Sequence, residues 1–203
     1  MKRRIWIDVG AHLGERTLKF AQEDISLTVY AFEPNMALVH KLASTVANFI
    51  VLPLAVTERN AYTDFNLTVK DACSSVLPIV AYSRRTSAEL DWHMGGGLDI
   101  VRSIQVPSIR LDTFMTWAET EKVEFLKIDA QGADLSVVKS AGARLRDIEK
   151  VRLEVAIAPS PYEGAEQQEE VFDFMNEAGF VLYRRRNQSF GQEQNLTFVR
   201  RAI

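Results

Sequence analysis

Short, almost continuous hydrophobic runs alternate with amphipathic segments along most of the chain. Five of the runs are rich in β-branched residues, which is typical of strands buried on both faces of a parallel sheet. They span residues 5–9, 27–33, 49–56, 123–129 and 151–157. Four intervening segments place apolar residues at helical spacing. These span residues 14–22, 35–47, 134–146 and 166–178. The alternation predicts a doubly wound α/β fold.

Two parts of the chain depart from this alternation. Residues 180–184 and 195–200 have strand composition and flank a polar turn at Gly191, so we expect an antiparallel pair that closes the sheet. Residues 60–110 combine a stretch of alternating polar and apolar positions with three glycines at 95–97. We interpret this segment as an excursion over the edge of the sheet, with a hairpin and a mobile lid-like loop, and not as a second domain.

Composition and charge are those of an ordinary globular protein. The 203 residues suit one domain, residues 1–203, with 47% hydrophobic and 25% charged residues. The net charge is −3, from 24 basic and 27 acidic residues, so nothing indicates nucleic acid or a membrane as a partner. No stretch approaches the roughly 20 apolar residues of a membrane span. Asp8 interrupts the first apolar run, so we expect no signal peptide.

Cys73 is the only cysteine. It cannot form a disulfide within the chain, and no cysteine–histidine cluster has the spacing of a zinc site. A buried or neutral thiol is the better interpretation, because no histidine stands near it in the sequence to activate it as a nucleophile. These features predict a cytoplasmic protein and leave its oligomeric state open.

The stretch "IDVGAHLGERTL" predicts a strand, a glycine turn and a helix, which bring a ligand to the carboxyl edge of a sheet. A dinucleotide-binding pattern would need glycines at positions 8, 10 and 13, which are Asp8, Gly10 and Leu13. A carboxylate at position 8 disfavours a pyrophosphate, because two negative charges 4 Å apart repel by about 1 kcal/mol even in water. Glu33 ends the next strand, where an acid can accept both ribose hydroxyls. A nucleoside with a cationic tail, such as S-adenosylmethionine, fits both acids.

Several motifs occur in the order found in FkbM-like methyltransferases, and together they cover nearly the whole chain. The most specific are "AFEPN" at 31–35 and "KIDAQGAD" at 127–134. Others are "IDVGAHLGERTLKF", "PLAVTERNA", "CSSVL", "IRLDTF" and "VRLEVAIAPSPYEG". The chain therefore resembles the FkbM-like family. This resemblance implies a class I methyltransferase fold, which is Rossmann-like with a mostly parallel seven-stranded sheet, and S-adenosylmethionine as the methyl donor.

The resemblance also implies roles for individual residues. It assigns Asp8, Gly10 and Gly14 to the methionine end of the donor, and Glu33 to the ribose. The wall after Glu33 and the surroundings of the adenine would be formed by Pro34, Asn35, Leu54 and Ala55. Ser74 and Ser75 match a hairpin of the family and would contact donor or acceptor, unless they are simply turn residues.

Two positions depart from the family pattern. Many relatives read D-x-E-G-x-E where this chain has Asp129, Gln131, Gly132 and Asp134. The glutamine removes a possible base or metal ligand. Position 12 is His12, where a small polar residue is more usual. Its side chain would either line the methionine pocket or cap the following helix, and we favour the cap.

A hydroxyl acceptor must lose its proton during methyl transfer, so a carboxylate or a histidine is expected near it. Asp129 is the first candidate and also borders the donor, because it ends a central strand at the edge where ligands bind. Its alternative is an N-cap role for the helix that begins near Asp134, which itself would occupy the first turn. Glu154 is the second candidate, since a carboxylate in a buried strand needs a partner or a site. We predict no metal between Asp129 and Glu154.

Three further features each have a functional and a simpler interpretation. His93 lies just before the glycine loop and is a candidate catalytic residue on a lid, or merely an exposed side chain. Tyr162 lies at the mouth of the acceptor pocket or in an ordinary loop. The run "YRRR" at 183–186 is a solvated strand end or a receptor for an anionic substrate.

The sequence thus predicts an S-adenosylmethionine-dependent methyltransferase that acts on a hydroxyl of a small metabolite or sugar. The preference for oxygen comes only from the resemblance. A non-catalytic S-adenosylmethionine-binding protein is one alternative, because the donor site is better marked than any base. An NAD-dependent oxidoreductase is another, against which Asp8 and the missing glycines argue. We expect residues 71–105 and 155–165 to form the acceptor pocket, and a small molecule to be the partner.

Overall fold

The computed structural model describes residues 4–80, 97–157, 159–188 and 192–201. The strands in these ranges form two sheets. They are β1 (Arg4–Val9), β2 (Leu27–Phe32), β3 (Phe49–Leu52), β4 (Ala55–Val56), β5 (Ala61–Thr68), β6 (Ile100–Ile109), β7 (Phe125–Ile128), β8 (Lys150–Ala156), β9 (Phe180–Gln188) and β10 (Glu193–Arg200). His93, Gly191 and most of the glycine loop at 95–97 lie outside the described residues, so the predictions for them stay predictions.

Five α-helices occur in the described ranges, with two short 3-10 helices. The α-helices are α1 (Leu18–Glu23), α2 (Met36–Leu42), α3 (Leu111–Trp117), α4 (Asp134–Lys139) and α5 (Gln168–Glu177). The 3-10 helices are Asp71–Cys73 and Gly142–Asp147. None of the helices in these parts of the chain is long and apolar enough to cross a membrane.

The larger sheet has seven strands in the order β3-β2-β1-β7-β8-β10-β9. The five strands from β3 to β8 run parallel to their neighbours. β10 lies antiparallel between β8 and β9. The predicted doubly wound, mostly parallel sheet with an antiparallel pair at the end of the chain is therefore confirmed.

The hydrophobic run at 49–56 forms two strands instead of the one predicted. β3 pairs with β2 in the larger sheet, whereas β4 pairs with β6 in a second sheet of order β4-β6-β5. Pro53 stands at the break and has no backbone N–H to donate to a sheet ladder. The second sheet, with the 3-10 helix Asp71–Cys73, brings part of the segment 60–110 over the carboxyl edge of the larger sheet.

Several helices differ from the periodic pattern. Those predicted over 35–47 and 134–146 end at Leu42 and Lys139, and the second is followed by the 3-10 helix Gly142–Asp147. The helix predicted from residue 14 begins only at Leu18, because Gly10, His12 and Gly14 all have positive φ and keep the backbone out of helical conformation. Helix α3 was not predicted at all. It buries Leu111 and Met115 against the sheet, so tertiary burial stabilises a segment too short for a clear period.

The loops that follow β1 and β7 touch at the carboxyl edge of the sheet. Gly10 has a φ of 68°, and a Cβ added to it would lie 1.9 Å from the backbone oxygen of Asp129. A glycine is therefore required there by both the backbone conformation and the close approach. This contact sets the distance between the two loops that carry most of the predicted site.

Candidate active site

A cavity of about 320 Å³ opens at the carboxyl ends of β1, β2, β7 and β8. In the sheet, β2 and β3 extend from β1 toward one edge, while β7 and β8 extend toward the other. This is the topological switch point at which open α/β sheets bind their ligands. The volume falls in the range of small-molecule sites, roughly 300–1,000 Å³.

Glu33 forms one end of the cavity, immediately after β2. Its Oε2 accepts a hydrogen bond from the backbone N–H of His12 at 2.9 Å, and its Oε1 accepts one from Asn35 at 2.8 Å. Burial raises the pKa of Glu33, and the two backbone donors act against that shift. Each carboxylate oxygen retains a further lone pair, so the side chain is fixed in place and can still accept hydrogen bonds from a ligand.

An apolar wall lies next to Glu33. Pro34, which the resemblance assigned to the wall after Glu33, lines the cavity there, as do Leu54 and Ala55, which it assigned to the surroundings of the adenine. Val56 and Phe65, which were not predicted, come from the second sheet and extend the same wall. The Glu33 end of the cavity therefore combines a hydrogen-bond acceptor for hydroxyl groups with an apolar surface.

Asp8 lies behind the cavity and does not line it. Its carboxylate is fully buried, accepts a hydrogen bond from the Thr17 hydroxyl and lies 3.0 Å from the buried ammonium of Lys127. Burial raises the pKa of Asp8, against the effect of Lys127 and Thr17. Lys127 also donates a hydrogen bond to the Gly10 carbonyl at 2.7 Å. Asp8 was expected to border the donor, whereas it lies behind the cavity wall and contacts Lys127, which does line the cavity.

Three other residues assigned to the donor site also lie behind the wall. A Cβ at Gly14 would lie 2.9 Å from a side chain of α1, so this glycine permits helix packing. The Asn35 side chain accepts a backbone N–H of α2 and acts as its N-cap. The Ser75 hydroxyl donates to the Gln131 carbonyl at 2.8 Å. These residues support the site, whereas Ser74 lines the cavity.

His12 lines the cavity and does not cap a helix, which corrects the favoured prediction. Its Nδ1 lies 2.8 Å from Glu15, and its Nε2 lies 3.1 Å from Asp71. Burial lowers the pKa of His12, but the hydrogen bonds to Asp71 and Glu15 outweigh it and leave the pKa raised. Since Asp71 belongs to the 3-10 helix after β5, His12 joins the loop after β1 to the second sheet.

The other end of the cavity contains the two candidate bases, joined by the side chain of Gln131. Its Nε2 donates to Asp129 Oδ1 at 2.8 Å and lies 3.5 Å from Glu154 Oε2. The Asp129 side chain is 33% exposed and lies 3.8 Å from the Lys127 ammonium. The cavity is lined by Asp129 and Gln131, which follow β7, and by Glu154 of β8. The structure therefore brings the two predicted carboxylates together.

Glu154 differs from Asp129 in its surroundings. Burial raises its pKa well above the usual range, and the negative charges of Asp129 and Glu193 raise it further. The Gln188 side chain donates a hydrogen bond to Glu154 Oε1. This environment favours the protonated form of Glu154 more than water would.

Asp129 is not the N-cap of α4, which was the alternative to a role in the site. The cap position of α4 is Ala133, and Asp134 opens the helix as a buried residue. Its carboxylate accepts backbone N–H groups of Ala130 and Glu154 at 3.1 and 2.9 Å. Burial raises the pKa of Asp134 to about 8. Asp134 therefore fastens the turn after β7 to β8, and Asp129 remains directed to the cavity.

Tyr162 supports Gln131 from behind and does not lie at the cavity mouth, contrary to the functional interpretation of the sequence. Its buried hydroxyl lies 2.6 Å from Gln131 Oε1, to which it donates, and 3.0 Å from the carbonyl of Cys73. With its Oε1 accepting from Tyr162, the Gln131 amide is oriented with its N–H groups toward the carboxylates. Cys73 is a free buried cysteine, and burial raises its pKa to about 12, which confirms a neutral thiol.

Within the described ranges, no group of three or more His, Cys, Asp or Glu side chains is arranged to hold a metal ion. The Gln131 amide lies between Asp129 and Glu154, where a cation joining them would have to lie. The arrangement can bind hydroxyl groups at Glu33 and hold or accept a proton at Asp129.

Comparison with known families decides the class of the protein. Residues 8–182 match the model of the methyltransferase FkbM domain, which is most of the chain. The chain belongs to this family. Membership confirms a methyltransferase with S-adenosylmethionine as its cofactor, as the motifs predicted. A comparison with curated proteins finds no match.

Two of the solved structures similar to this FkbM-family chain are methyltransferases of low sequence identity. The magnesium protoporphyrin IX methyltransferase ChlM of Synechocystis PCC 6803, with bound SAH, is 11% identical, with a TM-score of 0.50 over 98% of this chain and 74% of that one. A SAM-dependent methyltransferase from Aquifex aeolicus is 12% identical, with a TM-score of 0.44 over 98% of this chain and 84% of that one. The first likeness agrees with the class I fold.

Lys127 is the main residue of this methyltransferase that the sequence analysis missed. The available signal was a lysine inside the buried run 123–129, which requires a buried partner. Gln188 and Glu193 were also missed, because they reach the cavity from β9 and β10, far away in the sequence.

We expect Lys127→Met to destabilise the protein by about 3–5 kcal/mol, because it leaves the Asp8 carboxylate buried without a partner. The double variant Asp8→Asn/Lys127→Met removes both charges and should be more stable than the single variant. Urea unfolding of the three proteins measures the difference. A double variant that is less stable than Lys127→Met would contradict the pairing.

We expect the His12 ion pairs to stabilise the fold at low pH. The pKa of His12 is higher in the folded protein than in the unfolded chain. The ion pairs therefore contribute fully to stability below the pKa of the unfolded state, and this contribution is lost as pH rises through the pKa of the folded state. The stability gap between wild type and His12→Gln should therefore be larger at about pH 5.5 than at about pH 8.5, on either side of the ordinary histidine value. His40→Gln, at an exposed position of α2, is the matched control. Equal gaps for His12→Gln at both pH values would refute the assignment.

Proposed function

We propose that this FkbM-family protein transfers the methyl group of S-adenosylmethionine to a hydroxyl oxygen of a small molecule. One observation carries the proposal: the same cavity contains two different sites. At one end Glu33 is held in place and can accept hydrogen bonds from ligand hydroxyl groups. At the other end lie Asp129 and Glu154, which are joined by the side chain of Gln131. The first end suits a nucleoside, and the second suits an acceptor that must lose a proton. The cytoplasm and a small-molecule partner remain part of this proposal.

The residues at the Glu33 end fit the adenosine part of the donor. Glu33 keeps free lone pairs for ribose hydroxyls, since its two backbone bonds use only one lone pair of each oxygen. Leu54, Val56 and Phe65 offer an apolar surface for a base. When bound, S-adenosylmethionine supplies a methyl group activated by a positively charged sulfur.

The charge of the cavity supports this donor over a dinucleotide. Among the described residues, the acidic side chains that line it outnumber the lysines and arginines. The acids are Glu15, Glu33, Asp71, Asp129, Glu154 and Glu193, and the bases are Arg16, Lys70 and Lys127. Lys127 is already paired with the buried Asp8. The carboxylates that line the cavity, and not the buried Asp8, therefore disfavour a pyrophosphate.

Asp129 is the proposed general base. It is partly exposed to the cavity, and the Gln131 amide and the Lys127 ammonium both attract its negative charge. The side-chain amides of Gln188 and Gln131 lie within hydrogen-bond distance of the two Glu154 oxygens, so we assign Glu154 to orienting the acceptor by hydrogen bonding and not to removing its proton. Alignment of the acceptor oxygen is the larger contribution of the protein, since effective molarity can supply up to about 10 kcal/mol.

We expect Asp129→Asn to lower kcat by about 100-fold or more, because the amide cannot accept the hydroxyl proton. Glu154→Gln resembles the protonated acid and should lower kcat by less than about tenfold. S-adenosylhomocysteine formation with hydroxyl, amine and thiol acceptors measures both effects. A larger loss in Glu154→Gln would make Glu154 the base. Transfer by the wild type to amines or thiols alone would contradict oxygen as the acceptor atom.

A further inference from the structure

Two arginines of β9 and one of β8 lie on the same face of the larger sheet. Arg152 is paired across β10 with Arg184, through Thr197 in the same row. Arg186 lies in the next row, which contains Asn195 and Glu154. Because residues opposite each other in a sheet project to the same side, the three arginines share one face.

Helix α5 packs on the opposite face of this part of the sheet. Phe172 of α5 packs against Phe198 with ring centroids 5.7 Å apart, and the Arg185 guanidinium lies 5.3 Å from the Phe172 ring. Arg185 thus belongs to the helix side, while its neighbours Arg184 and Arg186 are exposed on the other. Side chains along β9 alternate between the two faces of the sheet, so Arg184 and Arg186 lie on one face and Arg185 on the other. Substitution of Arg185 is therefore a control for the loss of a positive charge on β9.

A fourth arginine reaches this face from the loop before α1. Arg16 Nη2 donates a hydrogen bond to Gln188 Oε1 at 3.3 Å, at the end of β9. Burial lowers the pKa of Arg152, and the positive charges of Arg16, Arg184 and Arg186 lower it further. The strand positions of Arg152, Arg184 and Arg186 are no more than two strands apart, about 10 Å across the sheet.

No carboxylate among the described residues forms an ion pair with these four arginines. Other arginines of the chain have such partners: Arg4 lies 2.7 Å from Glu124, and Arg144 lies 2.6 Å from Asp147. In a chain with a net charge of −3, acids are not scarce. Four guanidinium groups on one face, without an ion-pair partner among the described residues, attract an anion.

The arginine face adjoins the candidate acceptor end of the cavity. Arg16 and Gln188 line the cavity, and Gln188 donates a hydrogen bond to Glu154. Arg152 precedes Glu154 by two residues on β8, a rise of about 7 Å, and Arg186 is two strands away, about 10 Å. One molecule of monosaccharide size can span from Asp129 and Glu154 to the arginines.

We propose that Arg16, Arg152, Arg184 and Arg186 bind an anionic group of the phosphate class that the methyl acceptor carries. This proposal rests on the proposed function. Guanidinium groups bind phosphate oxygens through paired, charge-assisted hydrogen bonds. The two substrates would then bind at regions of opposite charge. The acidic part of the cavity attracts the cationic sulfur of the donor, and the arginine face attracts the anionic group of the acceptor.

A small anion fits this face better than a nucleic acid or an anionic membrane. The arginines occupy two rows of a three-stranded region, and Glu154 and Glu193 border them on the cavity side. These carboxylates would repel the continuous charge of a long polyanion. A single phosphate group needs only the arginines themselves.

Calorimetric titration of inorganic pyrophosphate into protein saturated with S-adenosylhomocysteine tests the proposal. Two variants are compared with wild type: the double variant Arg184→Gln/Arg186→Gln and the control Arg185→Gln. All three side chains are exposed on β9. We expect the double variant to weaken pyrophosphate binding by about tenfold or more, since it loses two charge-assisted contacts, and the control to change it by less than about twofold.

Equal weakening in Arg185→Gln and in the double variant would overturn the site, because it would show a general charge effect. Absence of pyrophosphate binding by wild-type protein that still binds S-adenosylhomocysteine would also overturn it and leave the proposed function intact. Binding of a single-stranded oligonucleotide or of phosphatidylglycerol vesicles that pyrophosphate does not displace would overturn it in favour of a polyanion. If wild type fails to bind S-adenosylhomocysteine, the proposed function is contradicted, and titration of the free protein still decides the anion site.

Discussion

The buried ion pair between Lys127 and Asp8 holds the two central loops of the site in place. The Lys127 ammonium lies 3.0 Å from Asp8 on the neighbouring strand, donates to the Gly10 carbonyl and lies 3.8 Å from Asp129. A fully buried lysine is tolerated only where such charges and acceptors surround it. The loop after β1, which fixes Glu33 through the backbone of His12, and the loop after β7, which presents Asp129, therefore keep a constant relative position.

Most of the larger sheet could be predicted, because its parallel strands are buried on both faces and leave hydrophobic runs in the sequence. The break at Pro53 was visible in principle, since proline cannot donate to a ladder, but the surrounding residues are all apolar. Helix α3 has seven residues and depends on tertiary burial of Leu111 and Met115, which no local pattern reveals. Where a segment is short, its neighbours in space determine its structure more than its own sequence.

The types of residue in the candidate site could be predicted from the sequence, but the directions of their side chains could be predicted less well. Glu33, Asp129 and Glu154 were found because acids at the carboxyl ends of strands converge on one edge. Spacing could not show that Asp8 points to Lys127, since the lysine lies on a strand more than 100 residues later. The arginine face depends in the same way on the antiparallel register of β8, β10 and β9, including a shift in register after Thr197. Sequence order alone does not reveal that Arg184 and Arg186 share a face of the sheet with Glu154, whereas Arg185 lies on the other face.

The proposed function requires that the cavity bind an adenosine with a cationic tail through Glu33. Calorimetric titration with S-adenosylmethionine, S-adenosylhomocysteine and NAD tests it most directly, on wild type, Glu33→Gln and Glu15→Gln, which removes a cavity charge away from the ribose acceptor. We expect wild type to bind the two sulfur nucleosides and not NAD, and Glu33→Gln to weaken them by about tenfold or more while Glu15→Gln changes binding by less than about threefold. Binding of NAD without binding of the sulfur nucleosides, or equal effects of the two variants, would contradict the account.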